Sequence, residues 1–168
     1  MKKIITLLAI VGMFSLQSCT TTDPNPVDND TISEVFELKN INFAYSLTKG
    51  YTIYQKLTPS IYASDVILIY RLSGTIDSNT PIWQPIPRTL FLSQGNELDY
   101  DFDFSKEDFT IYAKGNYDLS LTPQYLNNQT FRIVIVPGSF AATLNAKDYV
   151  GVMAALKLNE TQVQKINF

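Results

Sequence analysis

The sequence predicts an antiparallel β-sandwich, Ig-like or of a similar two-sheet type, carrying one C-terminal α-helix. Three observations predict it. From Ser33 onward apolar residues recur mostly at every second position, in short runs. Those runs are separated by Gly, Pro and Asn turn residues at strand-length intervals. Only near residues 145–159 does the apolar period lengthen to that of a helix.

The elements follow in order. Phe36 and Leu38, then Ile41, Phe43 and Tyr45, alternate with a phase slip near Asn40, which predicts a β-bulge. "GYTIYQKL" opens after Lys49-Gly50 as a second strand. "DVILIYRL" (65–72) is apolar at nearly every position, so its strand is expected to be covered on both faces. "TPIWQPIPRTL" reads as a proline-rich loop holding the only tryptophan, Trp83. "RTLFLSQGNELDYDFDF" reads as a hairpin, with a strand to Leu92, a turn over Ser93–Asn96 and a strand through Phe104. "DFTIYAKGN" is a short strand closed by Gly115-Asn116. "QTFRIVIVPG" (129–138) is the clearest core strand, with Ile133 and Ile135 on one face and Val134 and Val136 on the other.

At the C-terminus the helix is expected over 146–158. Asn145 would cap it, Asp148 would stand at N3, and Asn159 would end it in the left-handed conformation. Tyr149, Val152, Met153 and Leu156 form its apolar stripe. Residues 160–168 fit either a further helical turn or a last strand.

The N-terminus reads as an address. Lys2 and Lys3 precede a mostly apolar run, Ile4 to Leu16, of signal-peptide length. That run is too short to span a bilayer, which takes about 20 apolar residues. It ends in Leu16-Gln17-Ser18-Cys19, and Cys19 is the only cysteine in 168 residues. This ending resembles the lipobox of bacterial lipoproteins, although Gln17 departs from the small or β-branched residue usual there. The resemblance implies a diacylglyceryl group on the Cys19 thiol and cleavage before it. Residues 1–18 are then the lipoprotein signal, 19–32 a polar tether and 33–168 a single domain. A lipidated Cys19 leaves no thiol for a disulfide, so the fold must rest on its core. Within the tether, Asp30-Thr31-Ile32 is similar to the O-glycosylation site of Bacteroidota secreted proteins, which makes Thr31 a candidate acceptor.

Removing residues 1–18, with Lys2 and Lys3, leaves 11 basic against 16 acidic residues, a formal charge of −5. Such a surface repels nucleic acid. There is no histidine, which excludes the histidine-based catalytic triads and the usual histidine-bearing zinc and haem sites. The glycines are scattered singly, so no nucleotide-cradling loop is present. Carboxylate pairs alone could still run hydrolysis, but nothing local marks one. The sequence therefore assigns no catalytic, cofactor-binding or metal site.

Two features carry both a functional and a structural reading. Glu97, Asp99, Asp101 and Asp103 share one face of a strand, where adjacent aspartates could hold calcium if a loop supplied more oxygens. No ligand loop is recognisable, which favours a solvated face, or charges that guard an edge, with Leu98, Tyr100, Phe102 and Phe104 packed inward. Trp83 could stack on a sugar or grip a partner; burial preferences favour its plugging one end of the sandwich.

"LDYDFDFSKEDFTIY", "QTFRIVIVPGSF" and "DYVGVMAAL", spaced as they are, resemble a group of small uncharacterised lipoproteins of Bacteroidota over about Glu34 to Leu158. That resemblance implies location and single-domain size and transfers no mechanism. The expectation for function is a non-catalytic binding or structural module of the cell envelope. It would be held in the membrane through lipidated Cys19 and present its loops to a protein or glycan partner. The alternative is a glycan-binding module for polysaccharide capture. Thr20, following the cysteine in place of aspartate, points to the outer membrane by family analogy.

Overall fold

The computed structural model describes residues 33–77 and 80–167. Cys19, Thr31 and the predicted signal and tether lie outside the described residues. Among the described residues ten strands form two five-stranded sheets packed face to face. In chain order they are β1 (Glu34–Ile41), β2 (Ala44–Ser46), β3 (Gly50–Lys56), β4 (Val66–Thr75), β5 (Pro81–Ile86), β6 (Arg88–Phe91), β7 (Glu97–Phe104), β8 (Asp108–Gly115), β9 (Gln129–Val136) and β10 (Gln164–Asn167). The first sheet runs β10-β1-β9-β4-β5 and the second β2-β3-β8-β7-β6. Every pairing is antiparallel except β1 with β10, which is parallel. Residues 160–167, left open by the sequence, are a 3-10 turn (Glu160–Gln162) followed by this added strand.

The two sheets differ because only one has both faces covered. Phe36, Leu38, Ile69, Phe131, Ile133 and Ile135 of the first sheet meet Leu98, Tyr100, Phe109 and Ile111 of the second in the sandwich interior. The outer face of the first sheet buries Val35, Tyr70, Val134 and Val136 beneath Val152, Met153 and Leu156 of the C-terminal helix. A strand covered on both sides needs apolar residues at successive positions, which is why β9 is buried over all eight residues. The second sheet leaves its outer face to solvent, so β8 alternates Phe109, Ile111 and Ala113 inward with Thr110, Tyr112 and Lys114 outward.

The bulge expected near Asn40 is present. The β1–β9 register shifts between Leu38 and Ile41, and Asn40 takes a positive φ of 56°. β2 and β3 form a hairpin in which Gly50, at φ 71°, supplies the left-handed residue that returns the chain. β9 stops where Pro137 ends the ladder and Gly138 passes Ser64 so closely that a Cβ would lie 2.6 Å from its carbonyl oxygen.

Several expectations need correction. The proline-rich stretch is strand β5, and Trp83 lies on it, not in a loop. β5 is an edge strand, and Pro81 and Pro85 stand an even number of residues apart, so both missing N–H groups fall on the side away from β4. β7 lies between β6 and β8, so its acids guard no edge, and Phe104 is 41% exposed at its end, not packed inward.

The last two corrections concern the helix. Among the described residues there are two α-helices, a single turn α1 (Gly138–Ala141) and α2 (Tyr149–Ala155), the latter shorter than the expected 146–158. Asp148 is the N-cap itself, its carboxylate accepting from the Gly151 N–H at 3.0 Å; the Asn145 side chain is used in the preceding turn, accepting from the Lys147 N–H. At the other end Lys157, not Asn159, adopts the left-handed conformation (φ 55°), and Asn159 instead caps the Glu160–Gln162 turn.

Candidate functional site

Two arginines stand in strands otherwise built of core residues, one on each face of the first sheet. On the outer face a row crosses the sheet from Glu37 (β1) through Arg132 (β9) to Tyr70 (β4). Arg132 is 3% exposed and donates to Glu37 at 2.6 Å, to Glu160 at 2.6 Å and to the Tyr149 hydroxyl. Its guanidinium lies 4.2 Å over the Trp83 ring, which also meets Tyr149 at 5.7 Å. Burial pushes the Arg132 pKa down, but the bonds to Glu37, Tyr149 and Glu160 outweigh it and hold the group above its ordinary value. The Nε of Arg132 and the Nε1 of Trp83 are buried without a hydrogen-bond partner among the described residues.

Arg132 thus ties β1, β9, β5, α2 and the Glu160 turn together. Trp83 is placed within that knot on the outer face of the sheet, with Arg132 over its ring, and not at an end of the sandwich.

Arg71 faces the other way. It follows Ile67 and Ile69 on the inner face of β4 and is 8% exposed. Its Nε donates to Gln129 Oε1 at 2.8 Å. Gln129 in turn donates its amide to the carbonyls of Gln124 (2.8 Å) and Asn127 (2.7 Å), so its oxygen is held toward Arg71. The guanidinium rests over Tyr100 at 4.8 Å and Tyr125 at 6.0 Å. Among the described residues no carboxylate comes within ion-pair distance of Arg71; the two ion pairs present are both made by Arg132. Tyr100, whose hydroxyl donates to Tyr125 O at 2.6 Å, has its pKa pushed up to about 12 by burial, a shift that Arg71 opposes.

Arg71 lines a shallow cleft of about 410 Å³ between the edges of the two sheets. β5 and β6 are consecutive edge strands of opposite sheets, and the chain passes between the sheets at Pro87. From β5 the half-buried Gln84, paired with Arg71 in the ladder, reaches the cleft; from β6 come Arg88 and Phe91, both exposed. Tyr125 closes one side. A second hollow, of about 520 Å³, shares Arg88, but its remaining lining is apolar apart from Lys147. The cleft with Arg71 combines a buried positive charge with neighbouring polar groups, an arrangement expected of a binding site.

The acidic ladder is engaged otherwise. Asp99 accepts from the Thr89 hydroxyl at 2.5 Å, Asp103 from the Tyr112 hydroxyl at 2.7 Å, and Asp101 from the Phe102 N–H at 2.8 Å. They lie on the outer face of the second sheet, as the alternation of β7 places them. Among the described residues no group of three or more acidic or thiol side chains converges as metal ligands would.

Sequence reading did not single out Arg71, Arg88, Gln84 or Gln129. The signal for Arg71 was present: a charged residue inside "DVILIYRL", a run that must be buried on both faces, needs a partner or a purpose. Arg132 inside "QTFRIVIV" carries the same signal. Compared with known proteins, the chain matches no family model, no curated relative and no solved structure.

Proposed function

We propose that the protein is a lipid-anchored, non-catalytic binding module of the cell envelope, held through Cys19 in the outer membrane. Its kinship with the small Bacteroidota lipoproteins is part of the same proposal. The anchor is supported by the n-region, the apolar run and the lone Cys19. Two acyl chains on one thiol suffice for stable attachment. Among the described residues no helix is long and apolar enough to cross a membrane.

Binding is supported by one observation above the others: Arg71 lines the cleft, buried and with no carboxylate at ion-pair distance among the described residues. A charge out of water needs compensation, and here the described residues supply neutral groups: an amide, two aromatic rings and the Tyr100 hydroxyl. The glycan-binding alternative draws on the same cleft, and no longer on Trp83, whose ring is occupied by Arg132.

Expression of the full chain tests the anchor. Mass spectrometry should find the membrane-fraction protein beginning at a diacylated Cys19. Cys19→Ser should be uncleaved and leave the membrane fraction on washing. A serine variant processed and retained like the wild type would reject the lipoprotein reading.

A further inference from the structure

We infer that the cleft between β5 and β6 binds an acidic saccharide, with a sugar carboxylate seated on Arg71 and Arg88. The inference rests on the binding-module reading and adds the chemical class of ligand. Arg71 has its Nε bonded to Gln129 and its guanidinium also meets the Tyr100 hydroxyl, which leaves its remaining terminal N–H groups for an oxyanion. Gln129 cannot swing away without abandoning two backbone carbonyls, so the guanidinium is oriented before any ligand arrives. Arg88 adds a second positive charge at the rim, and it too has no carboxylate within ion-pair distance among the described residues. Asp99 and Asp101 share a separate hollow with Arg88, but Asp99 is held by Thr89 and Asp101 by the backbone of β7.

The rest of the cleft suits a sugar. Gln84 presents an amide that makes no side-chain hydrogen bond among the described residues and is able to donate to and accept from ring hydroxyls. Phe91 is 79% exposed at the rim, and its ring offers an apolar face to the C–H side of a pyranose. The open, shallow shape admits one or two units of a longer chain, where a closed pocket would demand a small free ligand. A carboxylate on a polyhydroxylated ring satisfies the arginines, the amide and the aromatic rim together.

The test uses the full lipidated chain in detergent, titrated by calorimetry with an oligogalacturonate, the matching neutral galactose oligomer, a peptide with a free C-terminal carboxylate, and sodium acetate. The oligogalacturonate should bind saturably, and the neutral oligomer at least about tenfold more weakly, since a charge-assisted pair is lost. Arg88→Gln, at an exposed position, should keep the wild-type melting temperature and weaken oligogalacturonate about tenfold. Arg71→Lys keeps the buried charge but removes the planar fork, and should weaken it further.

Equal binding of the neutral oligomer, or affinity unchanged in both arginine variants, would overturn the site. Preference for the peptide would overturn the saccharide assignment, as would failure of all four probes. Fractionation of Cys19→Ser reads the anchor separately, so either conclusion can fail without the other.

Discussion

Arg132 and Arg71 are both buried arginines on the first sheet, and they have opposite company. Arg132 has two carboxylates, Glu37 at 9% side-chain exposure and Glu160 at 65%. The distances are the same, so the environments decide what each bond contributes. Removing the buried partner strands a charge in low dielectric, and Glu37→Leu should destabilise by about 3–5 kcal/mol. Removing the exposed one leaves water to replace it, and Glu160→Gln should cost less than about 1 kcal/mol. Urea denaturation of the two variants checks this; similar losses would show that Glu37 is not the buried counter-ion described. The sequence hinted at the arginines, as charges inside apolar runs, but not at this division. Which strand faces which, and where Glu160 returns, depends on contacts between residues far apart in the chain, which no local pattern records.

Among the elements, those set by burial were legible and those set by competing polar groups were not. β4, β8 and β9 were readable because a strand covered on one face or on both imposes its own apolar period. β5 was hidden by its prolines, which forbid a central strand and are tolerated at an edge whose existence depends on the whole sheet. The ends of α2 were misplaced because Asn145, Asp148 and Asn159 are all plausible caps, and tertiary packing chose among them. Lys157 ends the helix: its N–H bonds Ala154 O at 3.1 Å and the Leu158 N–H bonds Met153 O at 2.8 Å, a Schellman pair with Leu158 and Met153 in the same apolar cluster. A lysine at φ 55° meets the steric cost that glycine escapes. Lys157→Gly should therefore stabilise the domain by about 0.5–1 kcal/mol, since the relief exceeds the entropy that glycine loses on folding. A lower urea midpoint for this variant would mean that the lysine stem packs usefully where it lies.

At the scale of the molecule, the two apolar layers are each closed by tyrosines whose hydroxyls reach a polar exit. Tyr70 donates to Ala146 O at 2.9 Å, Tyr100 to Tyr125 O at 2.6 Å and Tyr149 to Glu160 at 3.1 Å. Burial is the chief cause that raises all three pKa values: Tyr100 and Tyr149 to about 12, and Tyr70 further. A tyrosine whose folded pKa exceeds its unfolded value of about 10 binds its proton more tightly when folded. The stability this contributes is fully present below pH 10 and is lost as pH rises from there toward the folded value, because only the unfolded chain can release the proton. Tyr70 and Tyr100 are 0% and 1% exposed, and each should steepen the decline by about 1.4 kcal/mol per pH unit above pH 10. Urea midpoints should accordingly fall between pH 10 and 12, while tyrosinate absorbance of the folded protein shows part of the ten tyrosines titrating late. Tyr100→Phe should lower stability at pH 8, through the lost bond to Tyr125 O, yet flatten the alkaline decline by one tyrosine's share. Stability unchanged through pH 11 in the wild type, or a decline equally steep in Tyr100→Phe, would show that these hydroxyls are not sealed between the layers as the packing places them.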